Sequence, residues 1–272
     1  MTKLARLILT AEASAAGAVK GAGRADIVIP IERRLVLGPL PSEPELALFL
    51  AARTTQEAGS HWLDYASPAA LDTIGGTHLG LLEVCAGCEA VELWMETEPN
   101  AQLVLIWLLS YFRSHAEAAT SLVLCHVDAS LGEANPKELA KWRFPAVGVT
   151  KEHLEIASLA WQAYRAPNPQ AWFDLLKKDL SLLPQLRRCV LDMLEELPGR
   201  ATGLGASEMR ILLLISAGSA HPFDVFPITG FVSSASCSAI GRLAPSSTDS
   251  RLRHCRQSQA LRNGRLHPRC MT

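Results

Sequence analysis

The stretch that most constrains this chain is Ala90–Phe112, which reads AVELWMETEPNAQLVLIWLLSYF. Val91–Trp94 is an apolar strand, Glu96 and Glu98 form a polar corner, and the helix predicted over Pro99–His115 is apolar nearly all round from Leu103 to Leu109. A helix without a polar face must be covered on most sides, because a large exposed apolar patch is unfavourable. That requirement implies a layered core with this helix inside it. Its seven apolar residues in a row fall well short of the roughly 20 that span a bilayer.

Short apolar strands alternate with helices around this stretch. Leu4–Leu9, Ile27–Ile31, Val91–Trp94 and Ser121–Cys125 are the strands. Ser14–Lys20, built from small residues, is a helix that can approach a sheet closely, and Ser42 caps another over Glu43 to about Arg53. His61–Tyr65 and the segment after Ser67-Pro68 are also read as helical, the latter stopping at Gly75-Gly76. The alternation predicts an α/β fold: a small, largely parallel sheet with helices on both faces. From Asn135 only helices are read (136–141, 151–165, 169–178, 182–197 and 207–216), so an all-helical C-terminal domain is expected to follow. The expected division is 1–130 for the sheet domain, 131–227 for the helical domain and 228–272 for a tail.

The tail differs in composition. Residues 228–272 hold seven Arg, no Lys, eight Ser and the single acid Asp249, so against a total of −1 the first 227 residues carry −7. A segment this poor in apolar residues cannot offset its ordering entropy and is expected to be disordered. Arginine without lysine is also what an out-of-frame reading of a GC-rich gene produces, so a frameshifted C-terminus is an alternative that resequencing the locus decides. A basic arm for nucleic acid is the third reading. The acidic body argues against a broad nucleic-acid face, which makes nucleic acid an unlikely partner. The apolar run Leu7–Leu9 is too short for a signal peptide, and the seven cysteines lack framework spacing. Both features fit a cytoplasmic chain with no membrane anchor. The oligomeric state is not legible.

In a parallel α/β sheet ligands bind beyond the carboxyl ends of the strands. That rule selects Glu96 and Glu98 as candidate catalytic carboxylates, and Ser14, Arg34, Asn100, Gln102 and His126 as candidate ligand-binding residues for a small molecule or nucleotide. Carboxylates at a helix start also simply favour the positive end of its dipole, with Thr97 as a cap. Cys85-x-x-Cys88 precedes a strand rather than opening a helix and lacks a second ligand pair, so no metal site is assigned. P-loop, HExxH and GxSxG signatures are absent and no cofactor is implied. Three functions stay open: a small-molecule or nucleotide-binding protein, a hydrolase-like enzyme using a strand-end carboxylate, and a regulatory module in which 205–226 is part of a helix-turn-helix.

The run Val91-Glu92-Leu93-Trp94 with Glu96 and Glu98, followed by Asn100-Ala101-Gln102-Leu103 and Ile106-Trp107-Leu108-Leu109, resembles the bacterial domain of unknown function 1835 family. Ser14-Ala15-Ala16-Gly17, Gly38-Pro39-Leu40-Pro41 and Thr150–Pro169 extend the resemblance, and Ser207–Phe226 is similar to the small helical domain often found behind it. It covers roughly residues 4–226. Members commonly carry Asn-Gly-Asp where this chain has Ala11-Glu12-Ala13, Trp-Arg-Asp where it has Ile31-Glu32-Arg33, and His-Glu where it has Val36-Leu37. Of the family's polar crevice, Ser14, Glu96, Glu98 and Gln102 carry over. The resemblance brings no assigned activity with it.

Overall fold

The computed structural model describes residues 4–36, 38–218 and 221. Its elements run β1 (Leu4–Thr10), α1 (Ala13–Gly21), β2 (Ile27–Pro30), α2 (Glu43–Leu50), α3 (Pro68–Ile74), α4 (Leu81–Ala86), β3 (Cys88–Met95) and α5 (Pro99–Arg113). Then follow α6 (Ala116–Ala119), β4 (Leu122–His126), α7 (Pro136–Leu139), β5 (Ala146–Gly148), α8 (Lys151–Arg165), α9 (Gln170–Leu175), α10 (Leu186–Glu195) and α11 (Ala206–Ser216). The strands form one sheet in the order β2-β1-β3-β4-β5. The first four are parallel and β5 joins antiparallel, with Leu124 opposite Val147.

Strand alternation divides the core between the two faces. Leu7, Leu9, Ile27, Ile29, Val91, Leu93 and Leu124 face one layer, into which α2, α4, α5 and α8 place buried side chains. Ile8, Val28, Trp94 and Cys125 face the other, covered by Ala15, Ala16 and Val19 of α1 and Leu139 of α7. The α/β architecture with helices on both faces is therefore as expected. Small residues on α1 let its backbone come close to the sheet. Leu103–Leu109 are each at most 3% exposed, because α5 is covered by the sheet, by α8 and by α10. Complete burial of one such leucine is worth about 1.5–3 kcal/mol, so α5 anchors the unit.

A charged pair reaches into this core from the surface, with Arg6 39% exposed and Glu92 buried. Glu92 in the middle of β3 is 8% exposed, and it accepts from Arg6 Nε at 2.6 Å and from the Trp94 indole at 2.7 Å. Arg6 Nη2 adds a second contact at 2.5 Å. The pairing satisfies a carboxylate that would otherwise be strongly unfavourable there.

Several expectations are corrected. Beyond residue 130, β5 joins the sheet and α8 packs on α5. Among the described residues, contacts group those up to Ser207 in one unit and those from Glu208 in a second. Helix α2 stops at Leu50, and His61–Tyr65 is a turn in which Asp64 accepts the His61 N–H at 3.0 Å. His61 is 2% exposed, with Nε2 on the Ala51 carbonyl at 2.9 Å and Nδ1 beside Arg53 at 3.2 Å, so it fastens that turn. Burial, reinforced by the Arg53 charge, lowers its pKa. In the second unit, Leu212, Leu213 and Ile215 on α11 are about half exposed. The tail 228–272, and the part of the helix-turn-helix reading that lies beyond His221, fall outside the described residues.

Candidate functional site

The strand order reverses direction at β1, which pairs with β2 on one side and with β3 on the other. In doubly wound sheets this topological switch point opens a crevice beyond the strand ends. Thr10 lies opposite Trp94 in the register, so the residues after each strand leave the sheet side by side. They are Ala11-Glu12-Ala13-Ser14 from β1 and Glu96-Thr97-Glu98 from β3.

The start of α1 is held without a capping side chain of its own, because Glu12 occupies the cap position and makes no such bond. Glu32, just past β2, substitutes for it and accepts the Ala13 N–H at 2.7 Å. Ile31 N–H bonded to Thr10 O at 2.7 Å brings the two strand ends together and places Glu32 there. A helix N-terminus at this position of the fold is where a phosphate would sit, and here a carboxylate already fills that seat. Burial raises the pKa of Glu32, with Glu12 adding to the effect; the Ala13 bond and the Arg34 charge oppose it.

Glu96 is 7% exposed. Its Oε1 accepts the Leu131 N–H and, at 3.4 Å, the Gly132 N–H. Its own carbonyl accepts from Gln102 Nε2 at 2.6 Å. Burial pushes the Glu96 carboxyl up to about 7, against the Leu131 bond and with help from the charges of Glu98 and Glu12. The backbone bonds fix the segment after β4 across the crevice. Gly132 is needed there, since a Cβ at that position would lie 2.7 Å from Ser14 Oγ and 3.0 Å from Ser14 Cβ.

Glu98 is the cap residue of α5 and makes no side-chain cap bond. Thr97, expected as the cap, lies one residue outside. The half-buried Glu98 carboxylate has no hydrogen bond among the described residues, and burial followed by the charges of Glu12 and Glu133 raises its pKa. Five glutamates, at 12, 32, 96, 98 and 133, thus converge on one sheet edge.

Of the sequence candidates, Ser14, Glu96 and Glu98 meet at this crevice. Gln102 is 2% exposed and donates to the Glu96 carbonyl, so it shapes the corner. Asn100 accepts the Leu35 N–H at 2.7 Å and donates to the Arg33 carbonyl at 2.9 Å, which pins the loop after β2. Arg34 is exposed and acts on the crevice only through its charge on Glu32. His126 pairs in register with Met95 and shares its side of the sheet. It lines a cavity of about 10 Å³ with Met95, Gln102 and Leu183, room for one water at most. Strand parity puts it on the opposite face from Glu96.

Sequence reasoning missed Leu131, Gly132 and Glu133 as parts of the site, whereas the strand-end rule reaches Glu12. A glycine soon after a strand end was the available signal for Gly132. No group of three or more His, Cys, Asp or Glu residues able to hold a metal occurs among the described residues. Cys85 and Cys88 are each 1% exposed, and burial lifts the Cys85 thiol to about 12, so both are core thiols. No helix among the described residues is long and apolar enough to cross a membrane. No protein-family model matches the chain, and no curated protein matches it.

Proposed function

We propose that this protein binds a small molecule in the crevice between the ends of β1 and β3, and that the ligand presents a positive charge or hydrogen-bond donors. The observation that carries this reading is the pairing of an unbonded, half-buried Glu98 with the buried Glu96 at the switch point. The nucleotide reading is disfavoured in its favour, because Glu32 occupies the helix terminus that would receive a phosphate and the surrounding charge is acidic. The resemblance to the domain of unknown function 1835 family supports a crevice at Ser14, Glu96 and Glu98 and assigns it no chemistry. The same resemblance makes α11 the beginning of a small helical module.

A thermal-shift screen tests the proposal, because a ligand bound to the native state raises Tm by mass action. Amines and amidines are expected to stabilise the protein, and the effect should weaken in Glu98→Gln. Stabilisation by nucleoside phosphates, or by no amine at all, would count against it.

A second reading follows from the same residue. Glu98, with a raised pKa and no partner, is the better placed of the two carboxylates for a general base, since Glu96 is engaged by the backbone of residues 131 and 132. Hydrolysis of ester or amide probes that is lost in Glu98→Gln, with binding retained, would favour that enzyme.

A further inference from the structure

We propose that Glu96 makes the crevice a proton-exchanging site: a cationic ligand enters as a proton leaves this carboxyl for solvent, so the ligand is taken up at neutral to alkaline pH and released on acidification. The inference rests on the reading of the crevice as a cation site and adds its regulation. Strand β3 and the corner after it carry two buried glutamates that differ in one respect. Glu92, 8% exposed, meets a cation of the chain's own in Arg6. Glu96, 7% exposed, belongs to none of the ion pairs among the described residues. A carboxylate out of water without a counter-charge is strongly unfavourable, and either a proton or a cation can neutralise it.

The geometry holds this carboxyl in place. Its Oε1 accepts the Leu131 N–H and, at 3.4 Å, the Gly132 N–H. Leu131 is 0% exposed in the core layer beneath α1, and Gly132 lies close against Ser14. Swinging the side chain out to water would strip the Leu131 N–H of this acceptor, a loss that a buried donor resists. The second oxygen, Oε2, has no hydrogen-bond partner among the described residues. Among those residues, the unpartnered side-chain polar atoms sealed from water belong to Arg24 and Arg33, so Glu96 Oε2 keeps an opening, and the crevice is where it opens. That oxygen can carry the proton or face a cation, and the two exclude each other.

The groups around Glu96 favour the proton while the crevice is empty. Burial acts first, and the charges of Glu98 from the same corner and Glu12 from the end of β1 add to it; against the two backbone bonds they push the carboxyl up to about 7. Glu133, from the segment after β4, joins Glu12 in acting on Glu98. After β2 the charge of Arg34 acts on Glu32. Helices α1 and α5 present the uncharged Ser14 and Gln102 at this corner. A cation arriving beside Glu96 and Glu98 favours the ionised form and expels the proton. One positive charge enters as one leaves, so the buried corner keeps its net charge.

Isothermal titration calorimetry of the full chain with benzamidine, a cation throughout the pH range used, measures affinity and proton release together when repeated in two buffers of different ionisation enthalpy. Release of about one proton is expected at pH 6 and about a tenth of that at pH 8, with binding about tenfold tighter at pH 8. Glu96→Gln is expected to bind benzamidine through Glu98 with little proton release and a flattened pH profile. Binding without proton release, or release undiminished in Glu96→Gln, would overturn the exchange and leave the cation site standing. No binding of benzamidine at either pH would overturn both. Should Glu96→Gln fail to fold, the ¹³C resonance of the Glu96 carboxyl in the wild-type chain takes its place. It is expected to move to its ionised position when benzamidine is added at pH 6, and a resonance that stays put would overturn the exchange.

Discussion

Burial of Glu96 makes a quantitative statement about stability and pH. Its carboxyl titrates at about 7 in the folded chain, against 4.5 for an unperturbed glutamate. The native state therefore holds this proton more tightly than the unfolded state does, by about 3 kcal/mol at roughly 1.36 kcal/mol per pKa unit. Because the folded pKa is the higher one, the stabilisation is fully present below 4.5 and is lost as pH rises through 7. Glu96→Gln keeps a carbonyl oxygen for the Leu131 N–H and removes the titration. Urea unfolding of both proteins at pH 4.5 and pH 8 isolates the effect, since groups common to both largely cancel in the difference. The variant is expected to gain about 2–3 kcal/mol on wild type between the two pH values, the lower figure allowing for relaxation around a charged Glu96. Parallel pH profiles would refute the reasoning, because they would mean that the carboxylate stays hydrated in the fold.

Glu92→Ala takes the carboxylate acceptor from the Trp94 indole and from Arg6, which keeps the Arg24 carbonyl and solvent, and is expected to cost about 1–3 kcal/mol, whereas Arg6→Met with Glu92→Leu should recover most of it; urea midpoints of the three proteins decide. Asn100→Ala removes both bonds that pin the loop after β2 and should cost about 1–3 kcal/mol, with faster amide exchange at Leu35. Gly132→Ala drives a methyl group into Ser14 and should cost about 1–3 kcal/mol, relieved when Ser14→Gly is added; an equal loss in the double variant would remove that contact as the cause. Glu32→Ala empties the anion seat at the start of α1, so Tm should become sensitive to phosphate where wild type is insensitive, and no gain in sensitivity would show that the seat is not functional.

Much of the frame was legible because its signals are local. The apolar strands, the Ser42 cap and the all-apolar turns of α5 announce themselves, and α8 runs from Lys151 to Arg165 as its pattern predicts. Strand β5 was not legible, since Ala146–Gly148 is exposed throughout and its three residues belong to the sheet only by pairing with β4. Helix α4 was missed because Leu81–Ala86 supplies under two turns of periodicity before Gly87. At the site, Ser14, Glu96 and Glu98 could be found from strand ends alone. Asn100 and Gln102 could not be separated from them, because whether a polar side chain faces a ligand or its own backbone depends on residues 67 positions away or on the turn of a corner.

The crevice itself shows why composition at a sheet edge is a poor guide to ligand sign. Arg33 and Arg34 follow β2 directly, and Arg34 was a candidate for a small molecule or nucleotide, yet Arg34 is exposed while the glutamate between Ile31 and Arg33 turns inward to the helix terminus. Arg33 instead lies over the Phe49 ring at 4.6 Å, and the N–H of Ala13 takes the Glu32 carboxylate. Once Glu32 sits there, every further acid at the edge raises the cost of a second anion, and burial adds to it. Glu96 meets that cost by accepting the backbone of residues 131 and 132, whereas Glu98 has nothing to accept from. An unpaired carboxylate held half out of water beside other acids is stabilised most by an incoming cation, which is the physical basis for expecting an amine rather than a phosphate at this edge.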